Sequence, residues 1–349
     1  MRVFPPGVRI PPPPPIGVWL IFYSIMEFWR KELRVDPIPT LLSSNNPAIE
    51  FFTRRDLLDE NAGSIETLWE LPQVGKILSK QQEDGCWRYS GGGKEHLRSK
   101  ENYNQLETYR VLGQLVEKYG LNNQHPRIKR AAEYLFSYQT REGDFRGIYG
   151  NQYSPNYTAA IMELLIKAGY KDDPRIINGF HWLLAIRQKD GGWAISLRTV
   201  GTKFNEDLMA ADTIQPDPTK PSSHLVTGVV LRAFVAHEDY KKTDDAIRAG
   251  ELLTSRFFKK DAYPDRQSAE FWTRVSYPFW FTDIVSALDS LSLMGFTVEN
   301  PLINDALNRL VNMQGDDSLF ELKLLKTGDR DLKFWVCLAF CRLFKRFII

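Results

Sequence analysis

The chain has 349 residues, of which 43% are hydrophobic and 25% charged, with a formal net charge of +2. That is length for one large domain or two small ones, in a composition ordinary for a globular protein, and the charge asks for neither a nucleic-acid backbone nor an anionic membrane. Aromatic residues are prominent at 13%; they predict either a core of large side chains or a cavity lined with rings.

The N-terminus reads as an appendage. Arg2 and Arg9 precede five prolines, Pro11 to Pro15, and Ile16 to Met26 is almost wholly apolar. The prolines do not fit a secretory signal, and the apolar run is too short to span a bilayer. A membrane-surface anchor is the minor alternative. Residues 1–25 are therefore expected to be a non-native or disordered extension, 26–64 an N-terminal helical segment and 65–349 the folded body. Cys86, Cys337 and Cys341 have no CxxC spacing. Neither a disulfide framework nor a zinc site is expected, and a reducing cytoplasm is the default location.

Further along, one motif recurs: Gln, three residues, Gly, one residue, then an aromatic. Gln81, Gly85 and Trp87 form the best copy, followed by Gln139, Gly143 and Phe145. A third keeps Gly191 and Trp193 but has Arg187 in the Gln register, with Gln188 beside it. A fourth keeps Gln314 and Phe320 with Ser318 for Gly, and the loop at Lys259, Lys260 and Asp261 holds a repeat position without the motif. Each copy lies between two segments with apolar residues at three- and four-residue spacing, such as Ile161, Leu164, Leu165 and Ala168. Pro126, Pro174 and Pro301 suit helix starts, and Gly120, Gly169 and Gly295 suit helix ends. Strand signals are nearly absent, so an all-α fold is expected. Its second helices should begin near Tyr103, Pro155, Ser222, Pro278 and Leu332. The motif suits a tight turn between the helices of a pair: Gly supplies positive φ, Gln caps backbone of the neighbouring repeat, and Trp87 is a spacer between repeats.

These copies resemble the QW repeats of squalene cyclases and the related repeats of protein prenyltransferase β subunits, over roughly residues 65–346. The opening Asn45–Leu58 (NNPAIEFFTRRDLL) is similar to that of single-toroid squalene-cyclase-like proteins of bacteria and archaea. The resemblance implies an α/α toroid: a closed ring of inner helices inside outer ones, about five to six pairs, around a central cavity. The helical stretch around Pro47–Leu58 would complete a sixth pair or cap the ring. It also implies an isoprenoid or other apolar ligand; no cofactor and no metal are expected. Two departures matter. The DxDD acid motif of triterpene cyclases is missing, and Asp84-Gly85-Cys86 matches the zinc element of prenyltransferases only in letters, because it sits in a repeat turn.

In such a ring the starts of the inner helices point at the cavity. Tyr103, Tyr149, Tyr153, Asn156, Tyr157, Phe279, Trp280 and Trp335 are the candidate ligand-binding residues. Asp283, Glu107 and His224 are the candidate catalytic ones. Asp283 stands among large aromatics, where burial favours the neutral acid able to protonate an alkene; a helix cap that accepts backbone N–H bonds is the competing role. His224 follows a Ser-Ser cap, and Glu107 can pair with Arg110 on a helix surface. Were Asp283 and Glu107 both to face the cavity, a two-carboxylate site would open. The leading expectation is isoprenoid handling, with acid-initiated cyclisation or isomerisation. The alternatives are a carbohydrate-active lyase or hydrolase and a non-catalytic toroid that binds lipid or protein.

Overall fold

Twelve helices alternate between outer and inner positions of a ring. They are seen in a computed structural model that describes residues 28–91, 100–202, 204–325 and 328–349. Residues 1–25, expected to be an extension, lie outside these. The outer helices are α1 (Ile38–Leu42), α3 (Pro72–Leu78), α5 (Pro126–Phe136), α7 (Pro174–Ala185), α9 (Asp244–Ser255) and α11 (Pro301–Asn312). The inner helices are α2 (Pro47–Phe52, continued by a wider turn to Leu57), α4 (Lys100–Tyr119), α6 (Pro155–Leu165), α8 (His224–Ala236), α10 (Ile284–Met294) and α12 (Leu332–Ile348). Successive inner helices pack side by side, and α2 lies between α12 and α4, so the ring closes. Closure follows from the apolar inner faces: an open array would leave one of them in water. The fold is an all-α toroid; its only paired strands among the described residues are the two-residue pieces Arg274–Val275 and Lys323–Leu324. No helix among the described residues is long and apolar enough to cross a membrane.

The glutamines of the repeat tie the ring together. Gln81 Nε2 donates to Gly85 O at 2.9 Å in its own turn and to Arg127 O at 2.8 Å in the next outer helix. Gln139 repeats this with Gly143 O and Arg175 O. Gln314 donates to Ser318 O and to Val35 O just before α1, which joins the last repeat to the first helix pair. In the third copy the work is split: Gln188 holds the 217–220 loop, while Arg187 pairs with Asp245 at the start of α9. Glycine is required in these turns twice over. Gly85 has φ +93° and a Cβ there would lie 2.4 Å from Arg130 O; Gly143 has φ +106° and would meet Asn178 O at 2.5 Å. The tryptophans pack where expected, with Trp87 Nε1 bonded to Ile77 O and Trp193 Nε1 to Leu183 O. The repeat without a motif borrows Trp272, whose Nε1 reaches back to Lys259 O.

Four inner helices begin within a few residues of expectation, but α10 does not begin at Pro278. It starts at Ile284, because Asp283 and Ser286 close a reciprocal capping box there. Residues 276–283 instead run non-helically along the inside of the ring. Thr282 Oγ1 donates to Leu225 O of α8 at 2.6 Å, and Gly228 of α8 leaves the room this needs, since a Cβ would lie 2.4 Å from Thr282.

Candidate functional site

The inner helices enclose a cavity of about 720 Å³. Its wall is aromatic on one side: Tyr109 comes from α4, Tyr277, Phe279, Trp280 and Phe281 from the segment before α10, and Trp335 from α12. These rings brace each other, with Tyr277 stacked on Trp335 at 5.5 Å between centroids and Tyr109 tilted against Trp280 at 5.3 Å. A side lobe of about 290 Å³ shares Tyr109, Trp280, Phe281 and Arg266 and adds Tyr149, Asn156 and Tyr157. Tyr149 meets Tyr157 edge-on at 5.2 Å, and Asn156 Nδ2 donates to Tyr149 Oη at 3.4 Å. Six of the eight predicted ligand-binding residues therefore line one of the two spaces: Tyr149, Asn156, Tyr157, Phe279, Trp280 and Trp335.

The other two are used elsewhere. Tyr103 stacks on Tyr89 at 4.9 Å where α4 enters the ring. Tyr153 is buried against Trp182 of outer helix α7, donates its phenol to Glu142 and accepts from Gln215 Nε2 at 2.9 Å. The reason is helical phase: Tyr153 precedes Pro155 by two residues and lies in the loop, outside the inner face.

Asp283 is 1% exposed and does not line either space. Its Oδ1 accepts from Ser286 N at 2.8 Å, and Ser286 Oγ accepts from Asp283 N at 3.0 Å. It is a helix cap. Burial nevertheless pushes its pKa up to about 7, against the lowering effect of the Ser286 N–H and of nearby Arg232. The raised pKa and the helix cap thus meet in one side chain, which does not reach either space. Phe279 and Trp280 are not on a helical face with Asp283, since residues 276–283 are non-helical and α10 starts at Ile284. Arg274, the basic neighbour in sequence, pairs with Glu270 at 3.1 Å instead.

Glu107 pairs with Arg110 at 3.4 Å and borders neither space. His224 lies flat on Trp272 at 4.7 Å, with Nε2 3.5 Å from Asp261 Oδ2. Burial pulls its pKa down, although Asp261 opposes this. Asp261 also accepts from Ser223 Oγ and Leu225 N, so the cluster fixes the start of α8 away from the cavity. Asp283 and Glu107 are not brought together at the cavity, and the two-carboxylate site built from them is not formed.

Three further charged features belong to the cavity and escaped the sequence reading. Glu163 of α6, on the cavity wall, receives Arg232 Nε of α8 at 2.8 Å and Lys167 Nζ at 2.8 Å, and Lys167 also reaches Glu117 at 2.5 Å. Burial pushes the Glu163 carboxyl up, but Arg232 and Lys167 outweigh it and hold it below the usual carboxylate range. A signal for this pair was present: Glu163 and Arg232 are single charges in otherwise apolar helical stretches, Pro155–Leu165 and Leu225–Ala236. Arg266 lies 3.2 Å from the Phe281 ring centroid, borders both spaces and has no hydrogen bond or ion pair to another described residue. Lys118 of α4 pairs with Asp329 over the Trp335 face. A loop arginine and a helical lysine carry no periodic signal, and only the closed ring brings them inward. Among the described residues no group of three His, Cys, Asp or Glu side chains is placed to hold a metal.

Residues 102–215 match the squalene-hopene cyclase C-terminal domain family. The match covers about a third of the 349 residues, and the helices of that stretch are part of the all-α toroid described above. No curated protein matches the chain by sequence. Among solved structures the chain is similar to a polysaccharide lyase, with 11% identity and a TM-score of 0.44 over 93% of this chain and 97% of that one. It is similar to an α-amylase from Clostridium perfringens, with 13% identity and a TM-score of 0.41 over 79% of each chain. It is similar also to a variant of the type II terpene cyclase MstE from Scytonema in complex with geranylgeranyl dihydroxybenzoate, with 11% identity and a TM-score of 0.41 over 89% of this chain and 98% of that one. Neither a sugar nor a terpene activity is carried over from these likenesses.

Proposed function

We propose that this protein takes an isoprenoid, or a comparably apolar small molecule, into the centre of its helical ring. The observation that carries the reading is the convergence of Tyr109, Tyr277, Phe279, Trp280, Phe281 and Trp335 on a cavity of about 720 Å³. That volume falls in the range of small-molecule sites, and ring faces suit both an apolar chain and a cation formed along it.

Acid-initiated cyclisation asks for more. Asp283 has the raised pKa of a proton donor, yet its carboxyl is turned into the helix cap and the aromatic segment stands beside it. The proposal is therefore binding first, with Asp283 as the candidate acid for an alkene once the Phe279–Phe281 segment shifts on ligand entry. The sugar-cleaving alternative rests on the carboxylates at the wall: Asp329 and Asp331 at one corner and, elsewhere, Glu117 and Glu163. Lys167 bridges the latter two, and Glu163 is held ionised, so it is poorly suited to act as the general acid that glycosidic cleavage needs.

The test is a titration of the purified protein with geranylgeraniol, followed by tryptophan fluorescence, alongside native mass spectrometry of protein taken from its own host. Quenching that saturates, weakened roughly tenfold by Trp280→Ala through lost apolar contact, is expected. A co-purified oligosaccharide with no response to the prenyl alcohol would replace this reading by the sugar one.

A further inference from the structure

The cavity has a polar corner that neither the aromatic wall nor Asp283 explains. Lys118 projects into it from α4 with only 8% of its side chain exposed, lines the cavity, and pairs with Asp329. Its Nζ lies 5.4 Å from the centre of the Trp335 ring. Asp331 borders the same corner and accepts from Asn46 Nδ2 at 2.7 Å. Burying the ammonium is a poor source of stability, because removing a charge from water costs several kcal/mol and Asp329, whose side chain is 27% exposed, stays partly in water. A lysine kept in such a place invites a chemical use. Lysine is also the cationic side chain whose ammonium loses its proton readily when buried. Here burial pulls the pKa of Lys118 down from the ordinary lysine value, with Asp329 opposing.

We propose that Lys118 is a nucleophilic amine that captures an apolar aldehyde or ketone as an imine in the central cavity. This rests on the apolar-ligand reading above for its substrate class. The Lys118 ammonium hands one proton to the Asp329 carboxylate, and the freed Nζ lone pair attacks the carbonyl carbon while the C=O π pair moves to oxygen. A proton passes from nitrogen to that oxygen, giving the carbinolamine. Asp329 returns its proton to the hydroxyl, which leaves as water as the nitrogen lone pair forms the C=N bond. The sum is ammonium plus carbonyl to protonated imine plus water, with no oxidant or reductant. The product keeps the positive charge of the starting lysine, so Asp329 and the Trp335 face attract it as they did the ammonium. Desolvation is what activates such an amine, and the carboxylate beside it opposes that activation but serves as the carrier of the proton.

The experiment incubates the full chain with farnesal and sodium cyanoborohydride, then locates modified lysines by peptide mass spectrometry. The expected result is an adduct on Lys118 at least about tenfold above that on any surface lysine, a modest return for a positioned amine. Lys118→Arg keeps the ion pair and the thermal midpoint and should carry no adduct at that position. Farnesal labelling no stronger at Lys118 than at surface lysines, while farnesol still quenches tryptophan fluorescence, overturns the amine and leaves the apolar-ligand reading standing. Selective labelling of Lys118 by butanal without any farnesol binding keeps the amine and overturns that reading. Failure of both responses overturns both.

Discussion

Replacing Glu163 by Gln should destabilise the ring more than replacing its partner Arg232 by Met, because the two leave different charges stranded. Arg232 and Glu163 are 3% and 6% exposed at the side chain, with Nε 2.8 Å from Oε2. In Glu163→Gln, Lys167 keeps Glu117 at 2.5 Å, but Arg232 loses its ionised partner and keeps a neutral amide oxygen at best besides Phe281 O at 3.3 Å, and its Nη2 has no partner. A buried guanidinium left in that state costs about 3–5 kcal/mol. In Arg232→Met, Glu163 retains Lys167 at 2.8 Å, so about 1–3 kcal/mol is expected. The double variant Glu163→Leu with Arg232→Met removes both charges and should recover most of the loss. Urea unfolding at pH 7.5, followed by tryptophan fluorescence, measures all three as shifts in midpoint at constant slope. Arg232→Met costing more than Glu163→Gln, or the double variant costing the sum of the singles, would refute the reasoning. The pH dependence adds a check of sign. Glu163 has its folded pKa held below the unfolded value, so its stabilisation is present above about pH 4.3 and is lost as pH falls through the folded value. Glu163→Gln should lose that part of the acid transition.

Asp283 predicts the opposite slope: with its folded pKa raised to about 7, the folded state holds a proton that the unfolded state has lost, so stability falls as pH rises from about 4 to 7. Asp283→Asn can still cap α10, removes that slope, and should be at least as stable as the parent at pH 8; thermal melts across pH 4–8 measure this, and an unchanged slope would refute the raised pKa. Gly85→Ala should cost more than about 2 kcal/mol, since φ is +93° and the new Cβ meets Arg130 O at 2.4 Å, whereas Gly75→Ala, in a helix with open space, should be neutral or stabilising by the same denaturant assay.

How far the sequence could be read depended on whether a feature is local. Gln81 and Gly85 act through their own turn and the next outer helix, so a five-residue spacing was enough to foresee both their geometry and the ring they build. Trp272 does the same job as Trp87 from thirteen residues past Lys259, a spacing no repeat template contains, and the copy there looked empty. Pro278 looked like a helix start because proline is welcome in a first turn, but Ser286 lies three residues after Asp283, and that reciprocal cap decides where α10 begins. Shifting the start by six residues changed the site. Phe279 and Trp280 line the cavity as expected but from a non-helical segment, and Asp283 takes the cap instead of a place on the wall. The lone charges Glu163 and Arg232 were legible in kind, as misfits in apolar helices, though not in partnership: they stand 69 residues apart, and only the side-by-side packing of α6 and α8 brings them together. A ring fold places its chemistry at contacts between non-consecutive turns of the chain. Repeats therefore foretell the walls of such a cavity better than the polar groups within it.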